Sequence, residues 1–258
     1  MFGLAAIEIP ALLLLFARVG GIFTTAPVLS SRRVPIPIKA GLAFLTAALL
    51  VPVTPRLAGQ VPVALLPFTA VVIKELAIGM TIGFIAHMLI SAFQMAGELA
   101  DLQAGFGFAS LFDPTFGGRS SILSHFQGLL AWVIFLGING HHVLIAAVAD
   151  SVNALPLGIS GVGPLAARDV VELSAHLFPI VLRVAAPITG AVLLADIALG
   201  MIGRTIPQMN ILVLGFPVKM ALALVTMILA FPLFPMVGRQ VMSTIFDSID
   251  HIVRVMMH

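Results

Sequence analysis

Runs of apolar residues dominate the chain and are separated by short breaks rich in proline, glycine or charge. The hydrophobic segments are Leu4–Val28, Lys39–Val53, Leu76–Gly97, Ser120–Ala149, Leu165–Gly203 and Met220–Gly238. A helix needs about 20 mostly apolar residues to cross roughly 30 Å of hydrocarbon, and a lipid-facing backbone must satisfy its own hydrogen bonds. We therefore predict about six helical membrane segments, because none of the runs alternates as barrel strands do.

Several prolines fall inside these apolar runs, where each removes a backbone hydrogen bond and tends to kink a helix. They are Pro179, Pro187, Pro217, Pro232 and Pro235. No linker and no shift in composition divides the chain, so we predict one domain over residues 1–258. The predicted fold class is all-α, a polytopic membrane protein of helical segments kinked at proline and glycine.

One segment is too long for a simple membrane crossing. The 38 residues from Pro67 to Ala104 would extend about 57 Å as a continuous helix. This helix has to be broken, tilted or covered by other protein. Arg32, Arg33 and Lys39 place their loop in the cytoplasm, but the remaining loops give little charge bias. Both features indicate that lipid is not the main solvent for much of the surface.

Composition excludes the soluble classes of protein. The chain of 258 residues is 60% hydrophobic and 9% charged, with a mean hydropathy of +1.16, whereas a soluble domain is about 25% charged. These values rule out a water-soluble enzyme, a nucleic-acid-binding domain and a disordered chain. The absence of cysteine excludes disulfides and thiol chemistry. The first apolar run lacks a basic start and carries Glu8, so we interpret it as a retained membrane segment.

Charged residues inside apolar segments are the first candidates for function, since an unpaired one costs about 2.5–3.5 kcal/mol on insertion scales. Asp196 and Arg204 are eight positions apart, about 80° around an ideal helix, so they do not meet as neighbours on one helix. We predict partners across a bend at Pro207 or on another chain; Lys219 lies in the same region. The alternative is that these side chains snorkel to the membrane surface.

Glu98 and Asp101 form a second charged group. They are three positions apart on one predicted helix face, where like charges repel by a few tenths of a kcal/mol. We expect compensation from water, a cation or a partner's Arg or Lys. A catalytic pair of carboxylates is the alternative, although the neighbouring sequence offers no nucleophile.

The sequence predicts no metal or cofactor site. His141 and His142 are adjacent, so on a helix they point about 100° apart and cannot chelate one metal together. Neither HExxH nor GxxxxGK[ST] is present. Gly158–Gly161 reads GxSG, a short and weak signal for an intramembrane serine protease with Ser160 as its nucleophile.

Small residues at helical spacing predict close helix packing, because glycine lets two backbones approach each other. The glycines in this pattern are Gly79, Gly83, Gly200 and Gly203. Glycines of this kind are common in membrane helices, so they indicate tight packing and do not identify what is packed.

The most unusual stretch is the loop Gly105–Gly118, which is apolar and rich in phenylalanine and glycine. Its candidate residues are Gly105, Phe106, Gly107, Phe108, Leu111, Phe112, Asp113, Pro114, Phe116 and Gly118. Loops at membrane depth are tolerated only where they are buried in protein or line a cavity. Two interpretations stay open: the loop plugs a pore, or it packs against neighbouring helices.

Several motifs together resemble one family. The opening matches are Phe16–Gly21, Pro27 and Pro35–Leu42, and the central ones are Ala96–Glu98, Asp101–Gln103, Gly105–Phe106, Asp113–Pro114 and Asn139–His142. The most specific are Ala186–Pro187, Asp196, Gly200, Arg204, Pro207–Gln208, Asn210 and Gly215–Lys219. With these spacings the chain resembles the FliR/SctT family of type III secretion export-gate subunits, and its flagellar branch in particular.

The resemblance implies a channel subunit without enzymatic activity or cofactor. One copy would close a helical ring of bent hairpins with several FliP-type and FliQ-type subunits, at the entrance for unfolded flagellar proteins. The assembly would belong to the flagellar basal body in the bacterial inner membrane and project towards the periplasm, with FlhB-type and FlhA-type export components as further partners. The family's plug would fall on Gly105–Gly118. Its intersubunit or buried polar contacts would fall on Glu98, Asp101, Gln103, Asp196, Arg204, Gln208, Asn210 and Lys219.

The main alternative is a secondary transporter with a midplane substrate site at kinked helices, using Asp196 and Arg204 near Pro187 and Pro217. An inverted repeat between the two halves would support it, and none is evident. A third hypothesis is an intramembrane serine protease with Ser160 as its nucleophile.

Overall fold

The computed structural model describes residues 9–27, 30–31, 34–52, 64–106, 121–158, 164–208 and 210–255. These residues form eight α-helices and no strand. The helices are α1 (Ile9–Thr25), α2 (Ile36–Leu50), α3 (Leu65–Ala104), α4 (Ile122–Gly137), α5 (Gly140–Ala154), α6 (Pro164–Thr205), α7 (Ile211–Ala230) and α8 (Leu233–Val255). The predicted all-α class of a polytopic membrane protein is confirmed.

Helix length separates the elements into two groups. In the described part of the chain, α3, the Val171–Thr205 part of α6 and the Val213–Ala230 part of α7 are long and apolar enough to cross a membrane. The stretch Ile122–Gly137 with Gly140–Asn153 counts as a fourth, broken span. With 17 and 15 residues, α1 and α2 are shorter apolar helices. The described structure thus contains three or four helices that are long and apolar enough to cross a membrane, whereas the sequence predicted about six segments.

Two of the predicted apolar segments are each interrupted by a break between two helices. Ser120–Ala149 breaks at Asn139, whose φ of 58° is left-handed, a conformation that asparagine tolerates better than most residues. Met220–Gly238 breaks at Phe231 and Pro232, between α7 and α8. In contrast, Pro179, Pro187 and Pro217 lie inside continuous helices.

The described helix α3 is continuous over 40 residues. At 1.5 Å per residue it extends about 60 Å, twice the thickness of the hydrocarbon core. Of the three possible explanations for the long segment, a break in the helix is therefore excluded. Its most apolar window is 61% buried inside this chain.

Contacts between Cα atoms divide the chain into two compact units. The first comprises Met1–Met88, Asn139–Ala175 and Met242–His258, and the second comprises Leu89–Ile138 and His176–Val241. Helices α3, α6 and α8 each begin in one unit and end in the other. The assignment of residues 1–258 to one domain stays a prediction.

In the first unit, α1 and α3 touch backbone to backbone. A Cβ on Gly79 would lie 2.9 Å from the carbonyl carbon of Arg18, and one on Gly83 would lie 2.6 Å from the carbonyl oxygen of Ile22. A Cβ on Gly21 of α1 would lie 2.9 Å from the backbone nitrogen of Met80. Only glycine fits at these crossings. Beside them lies a hydrophobic cluster built around Leu14, Leu15, Ala47, Val152 and Leu157.

In the second unit, the C-terminal part of α3 packs equally closely on α4. A Cβ on Gly97 would lie 2.6 Å from the backbone nitrogen of Ser124. The Phe93 ring meets Phe234 of α8 edge to face, with 6.1 Å between the ring centroids. Gly200 of α6 differs, because a Cβ there would meet nothing within 4 Å, and Gly203 is half-buried.

We predict that Gly79→Ala lowers stability by about 1–3 kcal/mol, as overpacking does, because the new methyl group would push α1 away from α3. Gly200→Ala is the matched control and should be neutral or stabilising by up to about 1 kcal/mol, since alanine favours a helix. The measurement is the temperature at which the chain leaves solution when detergent-solubilised membranes are heated. Equal losses for both variants would contradict the close packing of α1 and α3.

Candidate functional site

Arg18 is a fully buried arginine in the middle of α1, among apolar residues such as Leu14 and Ile22. Its Nε donates to Oε2 of Glu75 on α3 over 2.6 Å. Its Nη1 donates to the backbone oxygen of Ser151 over 2.9 Å, and its Nη2 donates to that of Leu155 over 3.0 Å. Each of the three guanidinium nitrogens therefore has an acceptor.

Glu75 is buried as deeply as its partner, with 1% of its surface exposed. Its second oxygen, Oε1, accepts the backbone N–H of Gly158 over 3.1 Å. Gly158 has a φ of 90°, a conformation open to glycine and costly for other residues. The Ser151 hydroxyl donates to the carbonyl of Val148 over 2.8 Å and lies 3.4 Å from Nη1 of Arg18.

This network links α1, α3, α5 and the residues after α5 within the first unit. Two charges buried away from water are tolerated only when they contact each other closely and their remaining hydrogen-bonding groups have partners. The Arg18–Glu75 pair meets both conditions. The sequence analysis singled out neither Arg18 nor Glu75 as a candidate residue. A usable signal was present: each of these opposite charges is followed within one helical turn by a glycine, Gly21 and Gly79.

A second ion pair joins α6 to α7 within the second unit. Nζ of Lys219 lies 2.9 Å from Oδ1 and 3.2 Å from Oδ2 of Asp196. The Asp196 side chain is 47% exposed and that of Lys219 is 16% exposed. The sequence analysis expected a partner for Asp196 across the bend near Pro207 or on another chain, and the structure places Lys219 beside it, across the α6–α7 turn.

The surface of α6 and α7 near this pair is apolar and is exposed in this chain. The exposed large apolar residues near this pair in the sequences of α6 and α7 are Leu193, Leu194, Ile197, Val213, Leu214 and Val218. The most apolar windows of α6 and α7 are 28% and 22% buried inside this chain, against 61% for α3. Among the other predicted polar residues, Glu98, Gln103, Arg204, Gln208 and Asn210 are exposed. We call the exposed residues of α6 and α7 around the Asp196–Lys219 pair the α6–α7 face.

Asp101 is buried, and the N-terminus of α4 supplies its compensation. Its Oδ1 accepts the backbone N–H of Leu123 over 3.3 Å, in the first turn of α4. The first N–H groups of a helix lack partners inside the helix and carry partial positive charge. The sequence analysis expected water, a cation or a basic partner, and did not consider a helix terminus. Glu98 points away into the exposed surface.

Gln127 is a further polar residue that sequence reasoning missed. It is fully buried on α4, and within the described residues neither of its amide atoms has a hydrogen-bond partner. It sits one residue before Gly128, where a Cβ would lie 2.8 Å from Nε2 of Gln94. The α3–α4 contact is thus partly polar in an otherwise apolar chain.

Most of the predicted plug loop lies outside the described residues, as does Ser160. The unplaced plug residues are Gly107, Phe108, Leu111, Phe112, Asp113, Pro114, Phe116 and Gly118. The described start is Gly105, whose φ is 85° and whose N–H donates to the carbonyl of Asp101 over 3.1 Å, followed by half-buried Phe106. Within the described ranges, no three residues of the metal-binding types come together.

We predict that Arg18→Met lowers the stability of the folded chain by about 3–5 kcal/mol, because Glu75 would keep a buried and unpaired charge. Adding Glu75→Leu to this variant should restore part of the loss, since the double variant buries no charge. Heating of detergent-solubilised membranes measures both. An exposed ion pair contributes roughly 0–1 kcal/mol to stability. A loss of stability no larger than this in Arg18→Met would contradict the burial of the Arg18–Glu75 pair.

Comparison with known proteins identifies the family of this chain. The family model described as bacterial export proteins, family 1, matches residues 9–245. The flagellar biosynthetic protein FliR of Pectobacterium carotovorum subsp. carotovorum is 32% identical over 237 residues, which cover 92% of this chain and 90% of the relative. The protein of that name from Bacillus subtilis is 30% identical over 249 residues, or 94% of each chain. The one from Escherichia coli K12 is 31% identical over 236 residues, covering 92% and 90%. By the extent of these matches, the chain belongs to family 1 of the bacterial export proteins.

Proposed function

We propose that this chain is a non-enzymatic channel subunit of the flagellar type III protein export gate. It assembles with FliP-type and FliQ-type subunits around the entrance for unfolded flagellar proteins, and its phenylalanine and glycine loop acts as a plug. The flagellar names of the relatives support the pathway. The chain's own surface supports the assembly.

The single observation that carries the assembly is the half-exposed Asp196–Lys219 pair on the apolar α6–α7 face. Water is an unfavourable solvent for this face, because α6 and α7 expose many large apolar side chains there. Lipid tails do not suit it either, since ionisable residues at membrane depth face the protein interior or a water-filled cavity. A protein partner with apolar side chains and a few polar groups satisfies both demands.

The length of α3 supports the same conclusion. A helix of 40 residues is about twice as long as the hydrocarbon core is thick, so part of it stands outside the bilayer or is steeply tilted. We propose that partner subunits cover this excess length, with the assembly in the bacterial inner membrane at the basal body and projecting towards the periplasm. The bent helices then form hairpins within a helical ring.

Exposed polar residues at the ends of the helices are the proposed intersubunit contacts. Glu98 and Gln103 serve this role on α3, and Arg204, Gln208 and Asn210 serve it at the α6–α7 turn. FlhB-type and FlhA-type export components are further proposed partners. Energy-converting steps reside in other proteins, so this chain needs no cofactor.

Gating is a physical step in this proposal. In the resting state the loop Gly105–Gly118 occupies the channel axis and excludes water and ions, and it moves aside when a substrate passes. Its glycines allow the backbone conformations that such a movement requires. The left-handed Gly105 at the end of α3 is the point from which the loop departs.

Affinity purification of the tagged chain from its native membrane tests the proposed function. Two other small hydrophobic proteins should co-purify in a fixed ratio, since a ring has a defined composition. A chain that purifies alone as a stable monomer and moves a small solute would favour the secondary transporter. Proteolysis lost in Ser160→Ala would favour the protease.

We predict that deleting residues 107–116 makes cells leak small ions, because the seal at the channel axis is lost. The complex should still be recovered in normal amount, since the deletion leaves all eight described helices intact. Leakage is measured as the uptake of small ions by cells expressing the variant. A deletion complex that assembles and stays as tight as the wild type would refute the plug assignment.

We predict that Arg204→Ala reduces the recovered complex about tenfold, which corresponds to losing about 1.4 kcal/mol of binding. Export should fall only in proportion to the amount of complex, because Arg204 contributes to assembly and not to passage. Arg239→Ala, which alters an exposed arginine on α8, is the matched control and should leave recovery unchanged. Normal recovery of an Arg204→Ala complex with blocked export would reverse the assigned role.

A further inference from the structure

The ring of Phe216 lies directly against Gly105, where α3 ends. A Cβ added to Gly105 would overlap Cδ1 of Phe216 and would lie 2.8 Å from Cε1. A van der Waals contact between carbon atoms needs about 3.5–4.0 Å, so a side chain at position 105 and the ring at position 216 exclude each other. The φ of 85° at Gly105 independently disfavours any side chain there. Gly105 and Phe216 therefore fit each other as a pair within the second unit.

Gly105 is held from the other side by α3 itself. Its N–H donates to the carbonyl of Asp101 over 3.1 Å, and the Asp101 carboxylate accepts the N–H of Leu123 at the start of α4. The backbone that leaves α3 at Gly105 is thus enclosed by the last turn of α3 and by the Phe216 ring. Its direction is set by these two contacts.

Phe216 in turn occupies a fixed place on α7. Gly215 packs close to α6, where a Cβ would lie 3.4 Å from Cδ1 of Leu199. Three residues after Phe216, Lys219 binds Asp196 of α6 over 2.9 Å. The ring therefore projects from a short segment of α7 that is attached to α6 on both sides.

The same segment contains a weak point in the helix. Pro217 has no N–H, so it cannot donate to the carbonyl of Val213 as the regular helix requires. A proline inside a helix is a common site of bending. In this structure α7 is continuous through Pro217 and holds the ring of Phe216 against Gly105.

We propose that Phe216 is a positioning residue that holds the left-handed Gly105 in place and thereby sets the direction in which the chain leaves α3. This proposal rests on the proposed plug function, since Gly105 begins the loop Gly105–Gly118. The α6–α7 face, the ring of Phe216 and the start of the loop then form one continuous mechanical connection.

The test compares ion leakage and complex recovery in cells carrying Phe216→Ala. Removal of the ring should raise leakage several-fold while the complex is recovered in normal amount, because Gly105 loses its support and the helices do not. Phe44→Ala is the matched control, since Phe44 makes a ring contact elsewhere, with Phe16 at a centroid distance of 6.2 Å. It should leave leakage unchanged.

A second pair of variants tests the contact itself. Gly105→Ala should reduce complex recovery, because its methyl group overlaps the ring. Adding Phe216→Ala to that chain should restore recovery in part, since the overlap disappears and only the strain of the φ angle stays. Gly200→Ala, at an open helical position, is the control for the glycine change.

The outcomes separate this inference from the plug itself. A tight Phe216→Ala complex together with a leaking 107–116 deletion overturns the inference and leaves the plug in place, whereas a tight deletion overturns both. If Phe216→Ala prevents assembly, Phe216→Val takes its place, because it keeps an apolar side chain but lacks the ring atoms that touch Gly105. If Phe216→Val also fails to assemble, or if it assembles into a complex that does not leak, the ring serves packing alone. Either result overturns the inference.

Discussion

The buried ion pair between Arg18 and Glu75 is the interaction on which the first unit depends. All three guanidinium nitrogens have acceptors and both carboxylate oxygens have donors, supplied by α1, α3, α5 and Gly158. Such a pair is stable only when complete, so it fixes the positions of all these segments at once. Gly21 and Gly79 let the backbones approach closely enough for the two side chains to meet. The buried ion pair and the close approach of α1 and α3 therefore depend on each other.

The second ion pair is chemically similar and structurally different. Asp196 and Lys219 satisfy each other, but they stand half-exposed on an apolar surface. The Arg18–Glu75 network is thus complete within the chain, whereas we propose that a partner covers the α6–α7 face. Membership of a bacterial export family gives that requirement a context, because an export apparatus consists of several chains. We infer that a partner subunit supplies the missing cover.

The sequence predicted the class of the fold and the positions of its apolar helices, because helix formation in an apolar chain follows from local composition. It also identified Asp196, Arg204 and Lys219 as charges that need partners. It missed Glu75 because Arg18 meets it across 57 positions of sequence and meets Ser151 across 133, and hydrophobic periodicity carries no information on such contacts. The break at Asn139 was missed because no charge or proline interrupts Ser120–Ala149, although the dipeptide Asn139–Gly140 is a turn signal.

We propose that protein, and not lipid, covers the α6–α7 face. The most direct measurement is the accessibility of a spin label at Leu193, which lies about one helical turn before Asp196 and is 57% exposed on α6 in this chain. In the complex purified from native membranes and placed in a bilayer, the label should be shielded from both dissolved oxygen and a water-soluble paramagnetic reagent. In the isolated chain in detergent, oxygen should reach it freely. Free access of oxygen in the bilayer complex would show that lipid covers the face and would contradict the account.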